Sequence, residues 1–231
     1  ALGFESLRAN STGNFNSAAG SQALYTSITG DQNTAFGARS LYYNTEGGYN
    51  TASGSFSLYT NTTGNENVAV GSHALFLNTA GNYNVAIGTN ALLNNTVGCD
   101  NTAIGHQALT SNTTAEGNTA VGYQSLKSNA TGTYNTATGT SSLKNNTTGE
   151  HNTANGVAAL VANTTGHDNT AAGFWSLYTN ETGNENTAFG VGALSSITAA
   201  DGNTAVGVRA LNTETSGNYN TATGTDALGM N

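Results

Sequence analysis

Proline is missing from the chain, cysteine, methionine and tryptophan occur once each, and only 8% of its 231 residues are charged. Each gap removes a class of protein. The single Cys99 excludes an internal disulfide framework and any paired-cysteine motif, and it leaves the compartment open. A chain without proline keeps every backbone N–H as a donor, which suits strands that must pair on both sides. Five Lys and Arg against thirteen Asp and Glu give a net charge of −8, which argues against nucleic acid and acidic membranes as partners. No apolar run is long enough to span a bilayer, and no secretory signal pattern is present. No stretch carries the 3.6-residue apolar stripe of an amphipathic helix. Walker loops, dinucleotide fingerprints and nucleophile elbows are also missing, so the expectation is no enzyme activity and no cofactor.

What the chain has in excess is repetition. Asparagine recurs every 17 residues from Asn16 to Asn220, with alanine two positions later from Ala18 to Ala222. Glycine follows from Gly20 to Gly224, and leucine four residues after that from Leu24 to Leu228. Asn67, Ala69, Gly71 and Leu75, then Asn84, Ala86, Gly88 and Leu92, stand for the whole series. So short and constant a period means stacked units that touch only their neighbours. Seventeen residues are too few for a helical pair, and Asn, Thr and Gly favour turns over helix interiors. The expected fold is therefore all-β: a parallel β-solenoid, one array over residues 1–231 with about 13.6 coils of 17. At about 4.8 Å per coil such a rod would run roughly 65 Å.

Each coil reads as two short strands, "N-T-A-x-G" and "x-x-[AS]-L-x", closed by a turn such as "N-T-T-G-N-E". Alternation along the first strand points Ala inward with Asn and Gly beside it, and Thr and the variable residue outward. The leucine column is then the one large apolar group common to all coils. A turn glycine, as at Gly64, Gly81, Gly98 and Gly132, reads as a positive-φ position. It is replaced at Ala115 and Ala200, where Gly117 and Gly202 stand two residues on. Neither terminus carries a polar capping unit, which reads as a segment of a longer array or as ends that stack on other molecules.

Several columns hold two readings each. The Asn column suits a hydrogen-bonded ladder, while Asn10, Asn61, Asn94, Asn112, Asn129, Asn145, Asn146, Asn163 and Asn180 begin glycosylation sequons in the turns. Tyr25, Tyr42, Tyr59 and Phe76 follow four consecutive leucines, either as a stabilising ladder or as a platform for sugars or another polymer. A second aromatic set, Phe15, Tyr49, Tyr83, Tyr134 and Tyr219, precedes the Asn column and takes the same two readings, and an inter-chain contact is the other structural role for both sets. The acids, among them Asp31, Glu66, Asp100, Asp201 and Glu214, gather at the turns as a solvated edge. Glu150, His151, His167 and Asp168 lie one coil apart and are the sole candidate metal ligands, weak ones on turn tips. Phe36, Val70, Ile87, Ile104, Val121, Phe189 and Val206 share the outward column after alanine, the pattern of an interface, interrupted by Ser53, Thr138, Asn155 and Thr223.

The phrases "NVAVGSHA", "NVAIGTNA" and "NTAIGHQA", from Asn67, Asn84 and Asn101, resemble the head repeats of YadA-like trimeric autotransporter adhesins. They are also similar to the "N-T-A-x-G-x-x-A-L" arrays of bacterial surface and phage tail-fibre-like proteins. The match covers nearly every coil, although this repeat is longer, with an added leucine and "N-T-T-G" turn. The resemblance implies a left-handed β-roll packed as an extracellular homotrimer. It implies a structural or adhesive rod whose partners are itself and a host-surface protein or glycan. Two other readings stand beside it: an ice-binding solenoid using the threonines beside the Asn column, and a self-assembling filament.

Overall fold

The computed structural model describes residues 1–213 and 216–229; Glu214 of the turn acids lies outside the described residues. The chain divides into two compact units, Ala1–Gly117 and Asn118–Asn231, with the same 17-residue period in each. In the first, β1 (Ser17–Ala19), β2 (Thr34–Phe36), β3 (Thr51–Ser53), β4 (Val68–Val70), β5 (Val85–Ile87) and β6 (Thr102–Ile104) pair in chain order, all parallel. In the second, β7 (Thr119–Val121), β8 (Thr136–Thr138), β9 (Thr153–Asn155), β10 (Thr170–Ala172), β11 (Thr187–Phe189), β12 (Thr204–Val206) and β13 (Thr221–Thr223) do the same. Alanine pairs with alanine throughout, as at Ala69↔Ala86 and Ala171↔Ala188. This is a parallel β-solenoid of 17-residue coils, and no α-helix occurs among the described residues.

Each coil holds one three-residue strand, not two. The segment through the leucine is a run of turns, because two of its residues adopt left-handed backbone geometry. In the fourth of these coils these are His73 (φ 57°) and Leu75 (φ 51°), and every leucine of the column lies between 47° and 53°. Left-handed geometry costs an L-residue roughly 1–2 kcal/mol. The leucines from Leu24 to Leu194 are completely buried, and burying such a side chain contributes about 1.5–3 kcal/mol. Burial therefore wins, and it holds leucine in a conformation that local propensity opposes.

Backbone bonds tie each coil to both neighbours. Val68 donates its N–H to the Asn84 carbonyl at 2.8 Å in the next coil, and Gly71 donates to Ser53 at 2.8 Å in the preceding one. The strand glycine is required twice over. Gly20 has φ 143°, and a Cβ built there would lie 2.4 Å from the Gly37 carbonyl oxygen stacked on it. The turn glycine differs from expectation. Gly64, Gly81, Gly98 and Gly132 are not positive-φ residues. Glycine stands there because the asparagine ladder leaves no room: a Cβ on Gly64 would fall 2.4 Å from Asn61 Oδ1. The left-handed turn position comes two residues later. Gly117 (φ 68°) and Gly202 (φ 66°) occupy it in their coils, and Tyr49, Glu66 and Tyr83 (φ 56–60°) in theirs.

Candidate functional site

The recurrent residues are the interior. Asn67, Ala69, Leu75, Asn84, Ala86 and Leu92 are completely buried, and Gly71 and Gly88 are half-buried under the next coil. Interior strand-leading asparagines such as Asn67 are fully used. Asn67 Nδ2 donates to Asn50 Oδ1 at 3.1 Å and to the Gly81 carbonyl at 2.8 Å, while its Oδ1 accepts from the Asn84 backbone N–H at 3.0 Å and from Asn84 Nδ2 at 3.1 Å. Four bonds per side chain turn a costly buried amide into the tie between coils.

Sequence reasoning missed a second ladder of the same kind. The turn asparagines at Asn44, Asn61, Asn78, Asn95 and Asn112 are buried, each side chain donating to the carbonyl three residues on. From Asn61 onward each also donates to the Asn before it, at 2.7–2.9 Å. In the second unit Asn129, Asn146, Asn163 and Asn180 continue the pattern. Six of the nine sequons therefore begin at buried, doubly bonded amides that no glycan can reach in the folded state: Asn61, Asn112, Asn129, Asn146, Asn163 and Asn180. Asn10 and Asn145 are exposed and Asn94 is half-buried. The ladder's interruptions are visible as orphaned atoms. Ser27 stands in this column before Asn44 and Ile197 after Asn180, and Ser27 Oγ and Asn180 Oδ1 are buried with no partner.

The aromatics after the leucines do stack. Tyr25–Tyr42, Tyr42–Tyr59 and Tyr59–Phe76 have ring centroids 4.9, 5.3 and 5.2 Å apart, with the Arg8 guanidinium 5.5 Å from the Tyr25 centroid at the first end. Phe56 and His73 form a parallel stack beside them at 5.2 Å, with Arg39 over Phe56. Desolvation, then the hydrogen bond with Tyr43, raises the Tyr59 phenol above its ordinary value. Rings that stack face to face leave only edges to solvent, so this geometry favours the stabilising ladder over the sugar platform.

The outward column after alanine is exposed as expected at Phe36, Val70, Ile87, Ile104, Phe189 and Val206, and half-buried at Val121. A neighbouring apolar column went unread: Val157, Phe174, Val191 and Val208, each directly after the strand glycine, are 42–48% exposed. Its signal was the recurrence of apolar residues at that one position in consecutive coils. In the second unit the two columns run side by side, with Trp175 stacked on Phe174 at 4.6 Å.

The His–acid pair forms only in part. Asp168 lies 3.5 Å from His151 Nδ1 and 2.8 Å from His167 Nδ1, both on the surface. Among the described residues, no group of three or more His, Cys, Asp or Glu is arranged to hold a metal ion, so Glu150, His151, His167 and Asp168 do not assemble as ligands. Some turn acids do more than solvate an edge. Asp31 Oδ1 accepts the Asn14 backbone N–H at 2.6 Å and Asp201 Oδ1 that of Asn184 at 2.7 Å. They stand in one column with Asn65, Asn82 and Cys99, where Asn65 and Asn82 cap the coil before and Cys99 Sγ lies 3.4 Å from the Asn82 N–H.

These features define a repeat β-solenoid whose invariant columns are structural and whose variable columns face outward. No protein-family model matches the chain, and no curated protein matches it.

Proposed function

We propose that this chain is a structural and adhesive segment of an extracellular surface or fibre protein, assembled as a homotrimer in which left-handed rolls pack side by side. The observation that carries it is the fixed register of the exposed apolar column. Phe36, Val70, Ile87 and Ile104 in the first unit, and Phe189 and Val206 in the second, are 37–50% exposed on strands whose central alanine is buried in the stack. Exposed apolar groups in register on several coils mark a contact surface, and the resemblance to YadA-like head repeats supports its use between copies. Repetition supplies stiffness and many identical faces for weak, multivalent attachment.

Sedimentation with electron microscopy of the purified chain tests this. A discrete trimer supports the reading, open-ended fibres replace it with a self-assembling filament, and a monomer removes the packing argument. A second reading is favoured by one observation. In the second unit Thr119, Thr136, Thr153, Thr170, Thr187, Thr204 and Thr221 are paired in unbroken register, a regular file of hydroxyls and methyls suited to ice. The neighbouring outward column varies from Phe189 to Asn155, which weakens the second rank an ice plane needs. Thermal hysteresis of the purified chain decides it.

A further inference from the structure

The turn position two residues after the turn glycine alternates in the first unit: Phe15, Gln32, Tyr49, Glu66, Tyr83, Asp100. All six residues share one left-handed conformation, φ 55–60°, so their side chains leave equivalent backbone positions on successive coils. Each N–H from Gln32 to Asp100 is held by a carbonyl one coil back, at 2.8–3.1 Å, which makes the file a fixed surface. The rings are exposed, Phe15 at 87%, Tyr49 at 57% and Tyr83 at 55%.

Spacing separates this file from the Tyr25–Phe76 ladder. There, rings on adjacent coils lie about 5 Å apart and consume each other's faces. Here they recur on alternate coils, about 9.6 Å apart at the usual strand spacing, too far to stack. Among the described residues none of the three makes a ring–ring contact, and the side chains of Gln32, Glu66 and Asp100 between and beyond them have no hydrogen-bond partner. Exposed aromatic rings, about one disaccharide length apart, alternate with acceptors that have no partner.

We infer that this file binds an extended, neutral β-1,4-linked glucan, with Phe15, Tyr49 and Tyr83 each under every second sugar ring. A β-1,4 chain is a flat ribbon that presents the same C–H-rich face once per disaccharide, matching the alternate-coil interval. Gln32 and Glu66 lie between the rings and Asp100 beyond Tyr83, where their oxygens accept from hydroxyls of the intervening sugars. The net charge of −8 disfavours acidic polysaccharides. The inference rests on the adhesive reading and gives it a ligand.

Retention of the full chain on microcrystalline cellulose, with chitin and granular starch alongside, is the test. Tyr49→Asn and Tyr83→Asn remove rings while keeping a residue that tolerates left-handed geometry. Each should weaken retention about tenfold, the loss of roughly one ring's stacking. Exchanging positions, Glu66→Tyr with Tyr83→Glu, preserves composition but breaks the interval, and should weaken retention equally. Tyr219→Asn, in the second unit, should change nothing. Absent retention on cellulose, equal retention on starch, retention on chitin alone, or full binding by the exchanged variant would each overturn the inference. Sedimentation of the same samples keeps the two proposals apart. A trimer that ignores cellulose loses only the glucan site, and a monomer that binds it loses only the trimer.

Discussion

Leucine in a left-handed conformation is the least expected residue of this chain. Nothing in the pattern "x-x-[AS]-L-x" marks it, because β-strand and buried turn share small residues followed by one large apolar group. The pattern predicts a second strand, whereas the backbone turns there so that each leucine enters the interior. Leu92→Ala should therefore lower stability by about 3 kcal/mol through lost burial and an unfilled cavity, seen as a lower urea midpoint. Ser27→Asn should act the other way. Asn44 Nδ2 bonds only the Gly47 carbonyl, and an asparagine at 27 would offer it an acceptor while replacing an orphaned hydroxyl, a gain of about 1 kcal/mol. A midpoint unchanged or lowered in that variant would count against the ladder's continuity. Tyr59 gives a pH signature. Its phenol titrates later when folded than when unfolded, so the stability it contributes is intact below the ordinary tyrosine range. That stability is lost as pH rises through the raised folded value. Tyrosinate absorbance should show one tyrosine titrating late, and Tyr43→Phe should bring it back toward normal.

At the level of the element, the three-residue strand was the most legible piece. Its "T-A-x" centre predicted the alternation seen in each strand, with alanine buried and the residue after it facing out in most coils. The strand-leading asparagines were legible as a ladder for the same reason: a buried amide in a stack has a partner one coil away. The turn asparagines were not, since "N-T-T-G" describes an exposed sequon as well as it describes a buried turn. What decides between them is the carbonyl three residues on, which folds back to within 2.9 Å of Asn61 Nδ2. Asn78→Ala should consequently cost about 2–4 kcal/mol by stranding groups on both sides, whereas Asn10→Ala, at the exposed end of that column, should cost far less. Parallel denaturation of the two variants makes the comparison, and equal costs would refute a cooperative ladder.

For the whole molecule, function rests on what the coils show to the outside. If the apolar column packs copies together, Val70→Asp with Ile87→Asp should convert a sedimenting trimer to monomer while leaving the far-ultraviolet spectrum unchanged, because both side chains point away from the interior. A trimer that survives this pair would move the contact elsewhere, with the Val157, Phe174, Val191 and Val208 column as the next surface to test.

The amino-acid order by itself determined the period, the parallel stacking and the inward alanine and asparagine columns. Any residue that recurs every 17 positions must meet its own copy one coil away. It also marked the outward apolar column and the two aromatic sets. Only the tertiary structure decided which repeated residues turn and which extend, because left-handed geometry at leucine depends on burial supplied by neighbouring coils. It likewise decided that the turn asparagines are interior and that His151, His167 and Asp168 touch without forming a metal site. The difference between stacked rings after leucine and separated rings at the turn also belongs to it. In one file each coil supplies a ring that stacks on the last, and in the other, which skips a coil each time, the rings do not meet.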